Sequence, residues 1–143
     1  MTSVLAACAV LVVAIGALLF MLAERYDRYR RAPYPTHLPD HVPVAAIPPA
    51  PIGNQGDWFP ADGYPASARR RGEQGRVSVS LLIDAQGSPA ACEVTRSSGY
   101  RGLDEATCHL AVRNGRFTAA RDRSGTAIES RFAMRTVVWK LEN

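Results

Sequence analysis

Residues 4–23 run for twenty positions without a charge, and no proline interrupts them. A helix of that length is about 30 Å long at 1.5 Å per residue, the hydrocarbon thickness of a bilayer. The run is rich in Val, Leu, Ile and Ala, with one interior glycine at Gly16. It predicts a single spanning helix, so the rest of the chain is expected to work close to a membrane surface. A cleaved leader needs a basic head and small residues before the cut. Here the head is Met1-Thr2-Ser3, and cleavage after Ala23 would put Met21 at the −3 position. Leu5-Ala6-Ala7-Cys8 has the composition of a lipobox, but it begins the apolar run instead of following it.

Residues 24–31 form a basic juxtamembrane segment carrying Arg25, Arg28, Arg30 and Arg31, suited to lipid head groups. Under the positive-inside rule they favour a cytoplasmic C-terminal side. The cysteines discussed below favour the opposite side. Residues 32–56 follow, with prolines at 33, 35, 39, 43, 48, 49 and 51. That density excludes regular helix and predicts an extended linker. At about 3.1 Å per residue its reach is at most roughly 75–80 Å. His37 and His41 have helical spacing, which carries no metal-site meaning in an extended segment.

Residues 57–143 are the foldable part, a small domain near the lower limit for a self-sufficient core. Pro65 suits the first turn of a helix from about Ala66 to Arg71, which Gly72 stops. Val77, Val79, Leu81 and Ile83 recur with a period of two, the mark of a half-buried strand. Asp84-Ala85-Gln86-Gly87 turns the chain into a second strand, about Ala90 to Arg96. After Ser97-Ser98-Gly99, residues Leu103, Ala106, Thr107, Leu110 and Ala111 fall at helical spacing, with Gly115 as the stop. A last strand spans about Thr126 to Leu141. Its apolar phase changes between Ile128, Phe132, Met134 and Val137, Trp139, Leu141, which predicts either a bulge or two halves facing different neighbours. The expected fold class is α+β: an N-terminal transmembrane helix, a proline-rich linker and a β-β-α-β domain with a three-stranded antiparallel sheet.

Cys92 falls on the second strand and Cys108 on the helix. The pair either forms a disulfide or remains two separate buried thiols. The bond is the expectation, and it implies an oxidising compartment such as the periplasm. No Cys-x-x-Cys, Ser/His/acid set or paired carboxylates accompany it, and His109, beside Cys108, reads as an exposed helix residue, so no enzyme, cofactor or metal is expected. The net charge of +4 comes from sixteen Arg and Lys140 against thirteen acids. Only Arg69-Arg70-Arg71 is dense, and without a recognition motif nucleic acid is not an expected partner.

Tyr64-Pro65, Gly75-Arg76-Val77, the Leu82-Ile83-Asp84 to Gly87 turn, Ser97-Ser98-Gly99, Leu103-Asp104, Arg116-Phe117 and Val138-Trp139 occur in an order that resembles the TonB C-terminal domain family. The likeness runs from about Asp57 to Asn143. It implies a single-pass protein of the cell inner membrane with its C-terminal domain in the periplasm. It also implies coupling of a proton-driven motor to outer-membrane receptors, whose extended segment adds a strand to the sheet. The candidate edge is Arg135 to Leu141, with Arg135, Val137, Trp139 and Leu141 as its residues. Alternatively, those apolar side chains pack under the short first helix or support a homodimer. Residues 4–23 contain neither Ser nor His, so the run lacks the polar pair with which members coupled to the motor would sense it inside the bilayer. The second functional expectation is therefore a structural or accessory subunit of an inner-membrane complex or a cell-wall anchor.

Overall fold

A computed structural model describes residues 15–17, 19 and 36–141. Ile15–Ala17 and Leu19 are helical. The rest of the expected spanning run, and all of residues 24–31, lie outside the described residues. Among the described residues no helix is long and apolar enough to cross a membrane. The chain divides into two units, residues 1–33 and 34–143, and the second holds the folded domain.

The domain is an antiparallel sheet with one helix across a face. Alternating apolar residues produce β2 (Gly75–Ile83), paired on one side with β3 (Pro89–Arg96) in the register Leu81 opposite Cys92 and Leu82 opposite Ala91. Asp84 closes the turn between them, its Oδ1 accepting from the amides of Gln86 at 2.9 Å and Ser88 at 2.8 Å. Gly87 takes φ +82° there, and a Cβ on it would lie 2.0 Å from the Phe117 carbonyl oxygen. Only glycine fits this position.

The five-residue α1 (Ala66–Arg70) follows Pro65 and is capped by Arg71, after which Gly72 turns the chain at φ +67°. The longer α2 (Arg101–Asn114) buries Leu103, Thr107, Cys108, Leu110 and Ala111. Asp104 in its first turn accepts from the Ser98 amide at 2.9 Å and the Ser98 hydroxyl at 2.8 Å, tying the preceding loop to the helix start. The apolar stripe of α2 meets Val77, Val79, Leu81 and Ile83 of β2 in one core that also takes in Trp58, Phe117 and Trp139. Cys92 and Cys108 are bonded, with Cα atoms 5.6 Å apart. The link fastens β3 to α2 across that core.

The last strand is divided. After β4 (Phe117–Thr118) come β5 (Ala120–Arg121) and β6 (Ala127–Ile128), which pair as a small hairpin turned at Gly125. Then β7 (Ser130–Ala133) and β8 (Val137–Trp139) both pair antiparallel with β2. Between the pairs Ser80–Ala133 and Val77–Val137, two residues of β2 face three of the last strand. That is a bulge at Met134-Arg135-Thr136, and it accounts for the change of apolar phase.

The proline-rich stretch does more than link. From Thr36 onward it lies along the domain: β1 (Ala50–Pro51) pairs with β4, Ile47 bridges to Arg121, and the Leu38 side chain is fully buried. A 3₁₀ turn, Gln55–Trp58, then delivers Trp58 into the core.

Candidate docking edge

Among the described residues β2 is paired on both sides, whereas β7 and β8 have β2 as their one partner. The outer side of β8 is therefore an open edge. Leu141 donates its amide to Gln74 Oε1 at 3.0 Å, on the β2 side. Alternation along an extended strand then turns the main-chain groups of Val138 and Lys140 outward.

The bulge assigns the side chains. Trp139 is turned inward: its indole is 6% exposed, stands edge-on to Tyr64 with centroids 5.1 Å apart, and donates Nε1–H to Thr107 Oγ1 at 2.8 Å. Thr107 passes its own proton to the Leu103 carbonyl at 2.8 Å, so the buried hydroxyl has both roles filled. Tyr64 in turn donates its hydroxyl to the Glu73 carbonyl. Burial pushes its phenol up, the Glu73 carboxylate adds to this and Arg69 opposes it. Val137 packs half-buried against the same core. Leu141 is half-buried and Arg135 is exposed on the bulge. The aromatic packing thus places the Trp139 ring against Tyr64 and α2, so Trp139 can serve a partner strand through its main chain and not its ring.

Val138, absent from the expected set, is 57% exposed on the opposite face of β8. The signal for it was the phase change itself: once a bulge puts Trp139 in the core, its neighbour must face out. Beside the edge runs a cleft of about 550 Å³, walled by Gly53–Gly56 and Phe59 on one side and by Met134–Val138 on the other. Gln55 Oε1 is buried without a hydrogen-bond partner in that wall. Arg135 and Lys140 stand exposed at either end of β8. Among the described residues no three His, Cys, Asp or Glu side chains gather as a metal site.

A family model for the C-terminal region of the Gram-negative bacterial TonB protein matches residues 60–141, more than half of the chain. The chain belongs to the TonB C-terminal family. Protein tonB2 of Pseudomonas aeruginosa is 42% identical over 62 residues, covering 43% of this chain and 23% of that relative. Protein TonB of Neisseria gonorrhoeae is 38% identical over 61 residues, covering 43% and 21%. Protein TonB of Haemophilus influenzae is 46% identical over 43 residues, covering 30% and 16%. The matches span less than a quarter of the length of these curated relatives. The TonB-family domain here thus has a disulfide between β3 and α2, and among the described residues its sheet is open along β3 on one side and along β7 and β8 on the other.

Proposed function

We propose that this chain is held in the inner membrane by residues 4–23 and presents its TonB-type domain in the periplasm. There β8 accepts an extended segment of an outer-membrane receptor, and the chain passes on energy for transport. The observation that carries this reading is the unpaired outer side of β8 together with the cleft, walled by Gly53–Gly56 and Phe59, that runs beside it. Main-chain hydrogen bonds to the outward groups of Val138 and Lys140 would supply affinity, and the Val138 side chain a contact on one face. The exposed cations at Arg135 and Lys140 favour a segment that carries carboxylates. The Cys92–Cys108 bond supports placement outside the cytosol.

A second reading, a structural or accessory subunit, draws on the docked proline-rich stretch. With chain from Thr36 onward held on the domain, residues 24–35 are left as spacer, at most about 40 Å of contour.

One experiment addresses both readings. A photo-crosslinking residue at Val138 in the full chain is expected to capture the plug segment of an outer-membrane receptor. Val138→Pro, which removes an outward N–H without touching the β2 pairing, is expected to lower receptor binding at least tenfold while the melting temperature holds. Capture of inner-membrane subunits alone supports the accessory reading, and capture of a second copy would make the edge a homodimer seam. Unchanged receptor binding in the proline variant refutes strand addition at β8.

A further inference from the structure

Sequence composition makes residues 36–52 a free tether, yet the chain there is fastened to the domain at three separated points. The first is Leu38, fully buried in a small cluster with Leu82 and Ala91 on the sheet face away from α2. Arg131 reinforces it by donating to the Pro39 carbonyl. At the second, Ala46 and Ile47 donate to the Arg121 carbonyl at 2.9 and 3.0 Å, and the Arg121 amide donates back to Ile47 at 2.9 Å. The third is the two-residue pairing of β1 with β4, extended by the Ile52 amide to the Arg116 carbonyl at 2.7 Å.

Between these points the fit is loose. A cleft of about 520 Å³ opens between the stretch Val42–Pro49 and Arg131. Another of about 580 Å³ lies between Val44–Ala46 and the turn at Asp122–Ser124. Val44 is 96% exposed. Five prolines at 39, 43, 48, 49 and 51 remove amide donors, so this stretch cannot zip into a continuous ladder. The attachment stops being local at Trp58. Its ring lies 5.4 Å from Phe117 in the main core, and its carbonyl accepts from Asn114 Nδ2 at 2.7 Å.

We propose that residues 36–52 are a detachable strap that stores tether length, and that tension from the N-terminal side peels it off through Ile52, with Trp58 still seated, before the domain unfolds. Force entering ahead of Thr36 meets the Leu38 plug first, then the Arg121 bridge, then β1. Each is a small attachment that can break by itself, because the clefts uncouple them. Of the main core they reach only the Phe117 main chain, through Pro51 of β1, while the Phe117 ring stays packed against Trp58 and Phe132 and the disulfide between β3 and α2 keeps the core closed. Release frees about 17 residues, at most about 60 Å of contour. The use of that length rests on the membrane-anchor reading, whereas its existence does not.

Single-molecule pulling tests the strap directly, with the full chain held by handles at Ala32 and at the exposed Arg70. The expected trace has a first, reversible lengthening of at most about 6 nm, well below the force that extracts Trp58. Leu38→Asp is expected to remove the earliest part of that event, and Leu38→Ala to lower its force. Reduction of the disulfide is expected to leave it unchanged. In parallel, amide hydrogen exchange at Ile47, Ile52 and Arg121 should run at least tenfold faster than at Val79 or Leu81, and faster again in Leu38→Asp at an unchanged melting temperature. A single event that includes Trp58, or a first event indifferent to both Leu38 variants, overturns the proposal. Either result would leave the β8 docking reading where it stands.

Discussion

Replacing Cys92 and Cys108 together by alanine removes the one covalent tie between β3 and α2. The bond closes a loop of 16 residues in sequence. In the loop-entropy account a closure of that size restricts the unfolded chain by about 10 cal/mol/K, which is about 3 kcal/mol at room temperature. Both cysteines are buried, at 0% and 3% exposure, so lost sulfur packing pushes in the same direction. For a domain of this size, the melting temperature should fall by roughly 10–20 °C. The assay is thermal unfolding of the full chain in detergent, followed by circular dichroism, with wild type and the alanine pair side by side. Because the sulfurs are enclosed, Cys92 and Cys108 of the native wild type should also resist mild reductant and thiol alkylation until the domain unfolds. A loss of under about 1 kcal/mol in the alanine pair would show that the core holds β3 on α2 without the bond. The entropic reasoning would then fail for this domain.

Other substitutions probe separate contacts. Trp139→Phe deletes the donor to Thr107 but keeps most of the ring, and should cost about 1–2 kcal/mol in chemical denaturation. Gly87→Ala forces a side chain into the Phe117 carbonyl at positive φ, and should cost more than about 2 kcal/mol or abolish expression of folded protein. Hydrogen bonds from the Ser124 hydroxyl and the Thr126 amide hold the Asp122 carboxyl below its ordinary range. A carboxyl depressed in the folded state contributes stability above its unfolded pKa of 3.8 and loses it as pH falls through the lower folded value. Amide NMR signals of Ser124 and Thr126 should accordingly stay constant to below pH 4 and move only in stronger acid. Asp122→Asn should remove that transition.

Where a period ran for several residues, the fold could be read from the chain. Val77 to Ile83 alternate because one face of β2 meets α2, and Leu103 to Ala111 repeat at helical spacing for the complementary reason. Glycines 72 and 115 mark the ends of both helices. The broken phase after Met134 predicts either a bulge or two halves facing different neighbours, and a bulge is present. What it could not announce was the direction of each half, since parity alone does not say which face is wet. Parity therefore leaves open both the exposure of Val138 and the burial of the Trp139 ring. Two-residue strands such as β1, β4, β5 and β6 are shorter than any period that could reveal them. The docking of the proline-rich stretch depends on one leucine and a few main-chain bonds to residues some 70 positions away, contacts with no local trace in composition.

The kink at Met134-Arg135-Thr136 also limits any guest. A segment laid along β8 finds only a few residues of straight host backbone before the rail swerves, and to continue onto β7 it would need a matching irregularity of its own. Such a short footprint favours engagement that is brief and readily renewed over a long-lived clasp, a grip suited to repeated catch and release.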